Sequence, residues 1–207
     1  MAQEPDWTGW DDDGEEQPAV GHVPVTGRGS LPFALVHGES LVATASWALG
    51  EAGVDLLDFT VTWPRIRTDG RALVLHDPLC PLTPVPFLRA AVAAAGNEVV
   101  VGVHPVTDTV KTVRDGVVGG TVDRDSLWQV TSPVVLPAEV VQALAAWPEL
   151  DDFAALVDGL RDRFEVRFLE APALGRRVDD ESAVRMLETF ADELRAGAPP
   201  ASGPPGR

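Results

Sequence analysis

The chain has 207 residues, the length of one compact domain with additional residues at its ends. Its 32 acidic and 16 basic residues give a formal net charge of −16, which argues against general binding to nucleic acids or to anionic membranes. The sequence has no apolar run of membrane-spanning length, no export signal and a single cysteine, Cys80, so we predict a cytoplasmic protein without an internal disulfide.

The two ends of the chain differ in composition from the middle. Residues 1–18 contain seven acidic residues and no basic ones, which predicts a disordered acidic arm. Within it, Trp7 and Trp10 either have no role or form a short docking peptide for a protein partner. Residues 197–207 are rich in Pro and Gly and predict a disordered tail. The folded domain is therefore predicted to span residues 19–196.

In the first half of the domain, short apolar runs alternate with helical patterns. A helix is predicted from Leu41, with Ser40 as its N-cap and Gly53 as its end. A second helix is predicted to start at Pro84, with Thr83 as its N-cap, and to run to Gly96. Strands are predicted at 20–25, 58–63, 72–76 and 98–103. This alternation predicts an α/β fold with a largely parallel sheet.

The second half begins with a different pattern. From Pro105 the chain is predicted to form an extended hairpin with a turn at Asp115 and Gly116. After it we expect a strand at 127–130, helices at 137–147 and 153–161, and a strand at 165–169. A closing helix follows the N-cap Asp180, and its predicted buried face comprises Val184, Leu187, Phe190, Ala191 and Leu194.

Asp77 directly follows an apolar strand. Ligands of open α/β sheets bind at the carboxyl ends of strands, where a carboxylate can hold Mg²⁺ against a triphosphate. The alternative is that Asp77 only forms a turn or caps a helix. His76 is predicted to be an ordinary strand-end residue, because the four histidines lack the helical spacing of a zinc site.

Three residues of the predicted hairpin region carry polar groups suited to a phosphate. Lys111 is the only lysine of the chain, which favours a specific need for an ammonium group, although a solvated lysine is an equal alternative. Thr109 and Arg124 offer a hydroxyl and a guanidinium to a phosphate. Alternatively, Arg124 forms only a surface ion pair with a neighbouring aspartate.

Four segments in this order resemble one enzyme family. They are VLHDPLCPLTP (74–84), PVTDTVK (105–111), TVDRDSLWQVTSP (121–133) and RRVDDESAVRMLE (176–188). Together they resemble the 2-C-methyl-D-erythritol 4-phosphate cytidylyltransferases of the non-mevalonate isoprenoid pathway. VPVTGRGS (23–30) looks like a shortened form of the family's glycine-rich loop.

The resemblance implies a fold and a reaction. The fold is a Rossmann-like nucleotidyltransferase fold: a mostly parallel sheet in three layers, with a β-hairpin arm at about residues 105–130. The reaction joins CTP to 2-C-methyl-D-erythritol 4-phosphate, with Mg²⁺, and releases pyrophosphate. The family also implies a homodimer in which the arm of one subunit packs on the other.

The same resemblance assigns roles to individual residues. Asp77 matches the aspartate that binds Mg²⁺ and CTP, and Arg177 stands where the family has a lysine at the α-phosphate; both are the catalytic candidates. The substrate-binding candidates are Thr109, Lys111, Arg124 and Ser132. The nucleotide-binding candidates are Val25, Gly27 and Gly29, together with Asp77.

The sequence departs from the family at four places. The loop lacks the arginine and the lysine of the family, and Phe33 lies near the position of that lysine. Cys80 replaces an arginine that binds the substrate phosphate, and only 23 residues (50–72) remain where the family has the cytosine-recognition segment. We therefore expect impaired turnover, unless Arg28, Arg65 or Arg67 compensates. The alternative is a non-catalytic paralogue that acts as a dimeric partner or binds a phosphorylated ligand.

Overall fold

The computed structural model describes residues 19–197, except for residues 59, 108, 125 and 126. The predictions for the acidic arm, for Trp7 and Trp10 and for the tail lie outside the described residues, apart from Gly197, which is the last residue of the closing helix. The limits of the folded domain stay a prediction.

Ten strands and six α-helices are described. The strands are β1 (Ala19–His22), β2 (Leu35–Val36), β3 (Glu39–Ser40), β4 (Val54–Leu56), β5 (Ala72–Leu75), β6 (Val99–Pro105), β7 (Lys111–Arg114), β8 (Val117–Thr121), β9 (Trp128–Leu136) and β10 (Val166–Glu170). The helices are α1 (Leu41–Glu51), α2 (Trp63–Asp69), α3 (Val85–Ala94), α4 (Ala138–Ala143), α5 (Phe153–Arg161) and α6 (Glu181–Gly197). Within the described residues, no helix combines the length and the apolar character needed to span a membrane.

Six strands form the central sheet in the order β10-β6-β9-β5-β1-β4. Strand β9 is antiparallel to its neighbours β5 and β6, and the remaining pairs are parallel. Two apolar clusters cover its faces: one includes side chains of α2, α4 and α5, and the other side chains of α1 and α3. The prediction of a three-layer α/β fold with a mostly parallel sheet is therefore confirmed.

Helices α1 and α5 form where the sequence pattern predicts them, and α5 has the predicted limits, Phe153–Arg161. Ser40 caps α1, since its hydroxyl accepts a hydrogen bond from the backbone N–H of Ala43 at 3.2 Å. The predicted apolar face of α1 is buried: Leu41, Ala45, Ala48, Leu49 and Ala52 are at most 8% exposed. The N-cap and the apolar periodicity are sufficient to predict this helix, because the apolar face that they indicate also packs on the sheet.

The predicted strand at 58–63 is wrong. The carboxylate of Asp58 accepts a hydrogen bond from the N–H of Thr60 at 2.7 Å, which closes a turn. Helix α2 then starts at Trp63, with Pro64 in its first turn. The β-branched residues of this stretch suggested a strand, but the edge position of the sheet belongs to the short strand β4.

Several element limits also differ from the predictions. Strand β1 ends at His22, and helix α4 ends at Ala143, whereas β9 continues to Leu136. Thr83 is not an N-cap: its hydroxyl donates to the carbonyl of Cys80 at 2.8 Å, and α3 begins at Val85. Such shifts reflect backbone contacts that propensity does not encode.

Helix α6 buries only part of its predicted face. Val184, Leu187 and Ala191 are at most 3% exposed, but Phe190 is 36% and Leu194 is 48% exposed. Leu194 lines a cavity of about 840 Å³, and Phe190 lines a second one of about 660 Å³ beside the base of the hairpin. Both side chains therefore face cavities instead of packed core.

The hairpin is confirmed as a separate two-stranded ribbon of β7 and β8. Its turn residues Asp115 and Gly116 have φ angles of 51° and 77°, the left-handed conformation that Asp-Gly turns favour. Every residue of both strands is exposed. The ribbon therefore leaves apolar side chains in contact with solvent.

Candidate functional site

The candidate site lies at the carboxyl end of strand β5, where His76 and Asp77 follow Leu75. Strand β9 passes beside them and supplies Ser132. The Ser132 hydroxyl accepts a hydrogen bond from the backbone N–H of Asp77 at 3.0 Å and also contacts Nδ1 of His76. All three residues are at most 2% exposed. Two of the predicted site residues, Asp77 and Ser132, are thus brought together in a buried network.

Gly102 of β6 permits this arrangement. A Cβ atom at this position would lie 2.4 Å from the carbonyl oxygen of Ser132, which is closer than any side chain allows. The requirement for glycine arises because β6 and β9 pair directly through this region. The backbone at Ser132 is therefore held tightly against its neighbour.

Both carboxylate oxygens of Asp77 are bound by arginines. Nε of Arg28 donates to Oδ1 at 2.8 Å, and Nε of Arg177 donates to Oδ2 at 3.1 Å. Oδ1 also accepts a hydrogen bond from the N–H of Leu79 at 3.0 Å. The side chains of Arg28 and Asp77 are 1% and 3% exposed, while that of Arg177 is 32% exposed. We call Arg28, Asp77 and Arg177 the arginine–aspartate cluster.

The shortened glycine-rich loop brings Arg28 into this cluster. The Nη1 group of Arg28 donates to the carbonyls of Thr26 and Leu150 at 2.7 and 2.9 Å, and its guanidinium lies 5.2 Å from the centre of the Phe153 ring. Its Nη2 atom is buried and makes no hydrogen bond in the structure. Of the three arginines considered as compensating residues, Arg28 is the one that reaches Asp77.

The other two arginines lie on helix α2. The guanidinium of Arg67 donates to the carbonyl of Gln142 through Nε and Nη2, at 3.2 and 2.8 Å, and Arg65 is exposed. Sequence reasoning could have favoured Arg28, because it stands between Gly27 and Gly29 within the loop itself.

The predicted nucleotide-binding residues Val25, Gly27 and Gly29 are exposed on this loop. Gly27 has a φ angle of 73°, and a Cβ atom there would lie 2.6 Å from Cβ of Asp151. The loop therefore rests directly on the segment before α5. Phe33, near the position of the family's lysine, is 61% exposed and lies outside the buried network.

The predicted substrate-binding residues of the hairpin region are separate from the buried network. Thr109, Lys111 and Arg124 are exposed, and Arg124 donates to the carbonyl of Thr107 at 2.8 Å. The prediction that they bind a phosphorylated substrate stays a prediction. Beside them, the cavity of about 660 Å³ is also lined by Arg176.

Burial changes the titration of several groups around the cluster. It lowers the pKa of His76 to about 4, and the nearby negative charge of Asp77 only partly opposes this shift. It raises the pKa of the Cys80 thiol, and the charge of Asp77 adds to this effect. The pKa of His22 is lowered by burial and by the positive charge of Arg28. At neutral pH, His76 is therefore uncharged and Cys80 is a thiol.

The residues present do not fit a bound Mg²⁺ ion. Magnesium needs octahedral oxygen ligands, at least one of them usually a carboxylate with free lone pairs. Asp77 has both oxygens engaged by guanidinium groups, and the described residues contain no group of three His, Cys, Asp or Glu side chains arranged to hold a metal. The assignment of Asp77 as a ligand of Mg²⁺ stays a prediction.

Comparison with known sequences identifies relatives of this chain. The family model described as 2-C-methyl-D-erythritol 4-phosphate cytidylyltransferase matches residues 65–158. A protein of that name from Syntrophotalea carbinolica is 30% identical over 131 residues, which cover 60% of this chain and 55% of that protein. One from Nocardia farcinica is 34% identical over 133 residues, which cover 62% and 56%. The chain thus spans about half the length of the curated relatives that it matches.

Solved structures support the fold. The 2-C-methyl-D-erythritol 4-phosphate cytidylyltransferase of Thermus thermophilus superimposes with a TM-score of 0.60 at 19% identity, over 84% of this chain and 98% of that chain. The 4-diphosphocytidyl-2C-methyl-D-erythritol synthase of Anaerococcus prevotii gives a TM-score of 0.61 at 13% identity, over 84% and 94%. The chain is therefore a relative of the 2-C-methyl-D-erythritol 4-phosphate cytidylyltransferases, and the resemblance predicted from its motifs is confirmed.

Proposed function

We propose that this chain is a cytidylyltransferase-type protein with strongly impaired turnover. Its reaction would be that of the family: CTP and 2-C-methyl-D-erythritol 4-phosphate give CDP-methylerythritol and pyrophosphate. The observation that carries the proposal is the arginine–aspartate cluster. The carboxylate expected to face the nucleotide is 3% exposed and is held by two guanidinium groups.

The residues that remain support weak binding of the phosphates. Arg177 is bound to Asp77 through Nε only and is one-third exposed, which leaves part of its guanidinium accessible to a phosphate. Lys111 and Arg124 place two further positive charges on the exposed hairpin region, as a phosphorylated sugar alcohol would require. These groups would position substrates, and positioning is a large part of such a reaction.

The groups that are missing argue for a low rate. Transfer of a nucleotidyl group depends on positive charge arranged around the phosphates, and removal of one such donor commonly lowers the rate by about 10² to 10³. The loop lacks two cationic residues of the family, and the buried Cys80 replaces a third. The reductions in rate are not additive, but each missing group lowers the rate.

The test is release of pyrophosphate by the full chain with CTP, 2-C-methyl-D-erythritol 4-phosphate and Mg²⁺. The Nocardia farcinica relative is the positive control, and Asp77→Ala, assayed where circular dichroism shows it folded, is the background. We expect a rate at least about 10³ times below that of the relative. A rate within about tenfold of the relative would contradict the proposal.

A second candidate function is that of a dimeric partner without catalysis. The hairpin supports the dimer that this candidate requires, because Val113, Val117 and Val118 are 61–69% exposed on a separate two-stranded ribbon. Such an apolar surface is typical of a protein interface. A homodimer that packs these ribbons against the neighbouring subunit would remove them from water.

Sedimentation velocity tests the dimer. We expect the wild-type chain to sediment as a dimer and Val118→Asp to sediment as a monomer. Leu35→Asp is the matched control, because Leu35 is exposed to the same degree (62% against 61%) but lies on strand β2, and this variant should stay dimeric. A monomeric wild-type chain would overturn this candidate.

A further inference from the structure

Arg28 is buried and is fixed by several hydrogen bonds, unlike an arginine on the protein surface. It makes three hydrogen bonds, to the carboxylate of Asp77 and to the carbonyls of Thr26 and Leu150. Its guanidinium lies over the ring of Phe153, and its side chain is 1% exposed. A buried guanidinium is stable only with a counter-charge and hydrogen bonds, and Asp77 supplies the counter-charge.

The loop conformation that delivers Arg28 is also specified. Gly27 has a positive φ angle and lies against Asp151, where a Cβ atom would clash with that residue. The next residue, Arg28, then reaches the carbonyl of Leu150 from the same segment. Backbone contacts on both sides of the loop therefore fix the direction of this side chain.

The charges of the cluster disfavour a metal ion. Two guanidinium groups and one carboxylate leave a net charge of +1 around Asp77. Because the cluster is largely buried, this charge is poorly screened and repels a divalent cation.

We propose that Arg28 is the resident cation of Asp77, and that this carboxylate binds no divalent metal ion in the wild-type chain. Nε of Arg28 occupies Oδ1 and Nε of Arg177 occupies Oδ2, so neither carboxylate oxygen is open to a metal. The inference concerns the binding of a cation, and it holds whether or not the chain transfers cytidylyl groups. It assigns a role to a loop residue that the family resemblance did not assign.

The test is a titration of the full chain with Mn²⁺, followed by electron paramagnetic resonance at neutral pH in about 0.1 M salt, which weakens nonspecific binding to the acidic surface. We expect the wild type to bind no more Mn²⁺ than Asp77→Ala does. Arg28→Ala should gain one additional site, and Arg28→Lys should gain none because it keeps the positive charge. Arg65→Ala removes an exposed charge and serves as the control that also gains none.

A measurement on the wild type alone keeps the proposal testable if a variant fails to fold. A Mn²⁺ ion on Asp77 would broaden the amide signal of Leu79, whose N–H donates to this carboxylate. We expect that signal to keep its intensity at equimolar Mn²⁺. Its selective loss, or one additional bound Mn²⁺ in the wild type compared with Asp77→Ala, would overturn the proposal. Failure of a folded Arg28→Ala to gain a site would also overturn it.

Discussion

Asp77→Asn is expected to lower the free energy of unfolding by about 3–5 kcal/mol. The substitution keeps the size of the side chain but removes the negative charge between Arg28 and Arg177. Arg28 is 1% exposed, so water cannot replace the lost partner. Equilibrium unfolding in urea at neutral pH measures the effect.

A matched surface substitution separates this effect from a general loss of charge. Asp69 is bonded to Arg71 at 2.6 Å, but both side chains are more than 20% exposed. Asp69→Asn should therefore lower the free energy of unfolding by less than about 1 kcal/mol. Equal losses in the two variants would show that the cluster around Asp77 is not a buried ion pair.

Acidification is expected to destabilise the wild-type protein through His76. The folded pKa of this residue is about 4, whereas its ordinary value is 6.5. Between these two values the unfolded chain binds more protons than the folded chain, so stability falls as the pH falls. The stabilisation is complete above pH 6.5 and is lost progressively towards pH 4, by about 3 kcal/mol in total.

The variant His76→Gln provides the comparison, because other groups also titrate in this range. Urea unfolding of both proteins at several pH values from 7 to 4 gives two curves of stability against pH. The wild-type curve should fall by about 3 kcal/mol more than that of the variant. Parallel curves would mean that His76 is not buried in its neutral form.

Local features of the fold could be predicted from the sequence. The N-cap at Ser40 and the Asp115–Gly116 turn depend on residues a few positions apart, and the structure confirms both. The strand predicted at 58–63 was wrong because β-branched residues have a strong strand propensity, whereas the turn at Asp58 and the helix start near Pro64 decide the local structure.

The composition of the site could be predicted only in part. Asp77 was named because it directly follows an apolar strand, and Ser132 and Arg177 were named through the family resemblance; the structure places both beside Asp77. The contact between Arg28 and Asp77 joins residues 49 positions apart, and that between Arg177 and Asp77 joins residues 100 positions apart. Neither spacing leaves a periodic signal in the sequence. The motifs therefore indicated a carboxylate open to a metal, whereas in the structure two arginines bind both oxygens of that carboxylate.

The closed cluster also connects stability with the proposed loss of activity. A residue that holds the fold together through two buried or half-buried ion pairs cannot at the same time offer its oxygens to a ligand. In this chain the loop of Gly27 and Gly29 brings in the positive charge that fills the site. The structural role of Asp77 thus competes with a catalytic one.

A double-mutant cycle between Arg28 and Asp77 tests this account most directly. The free energies of unfolding of the wild type, Arg28→Met, Asp77→Asn and the double variant give the coupling energy of the pair. We expect a coupling energy of about 2–3 kcal/mol. The double variant should therefore lose less stability than the two single variants lose together. A coupling below about 0.5 kcal/mol would mean that Arg28 does not hold Asp77, and it would contradict the account.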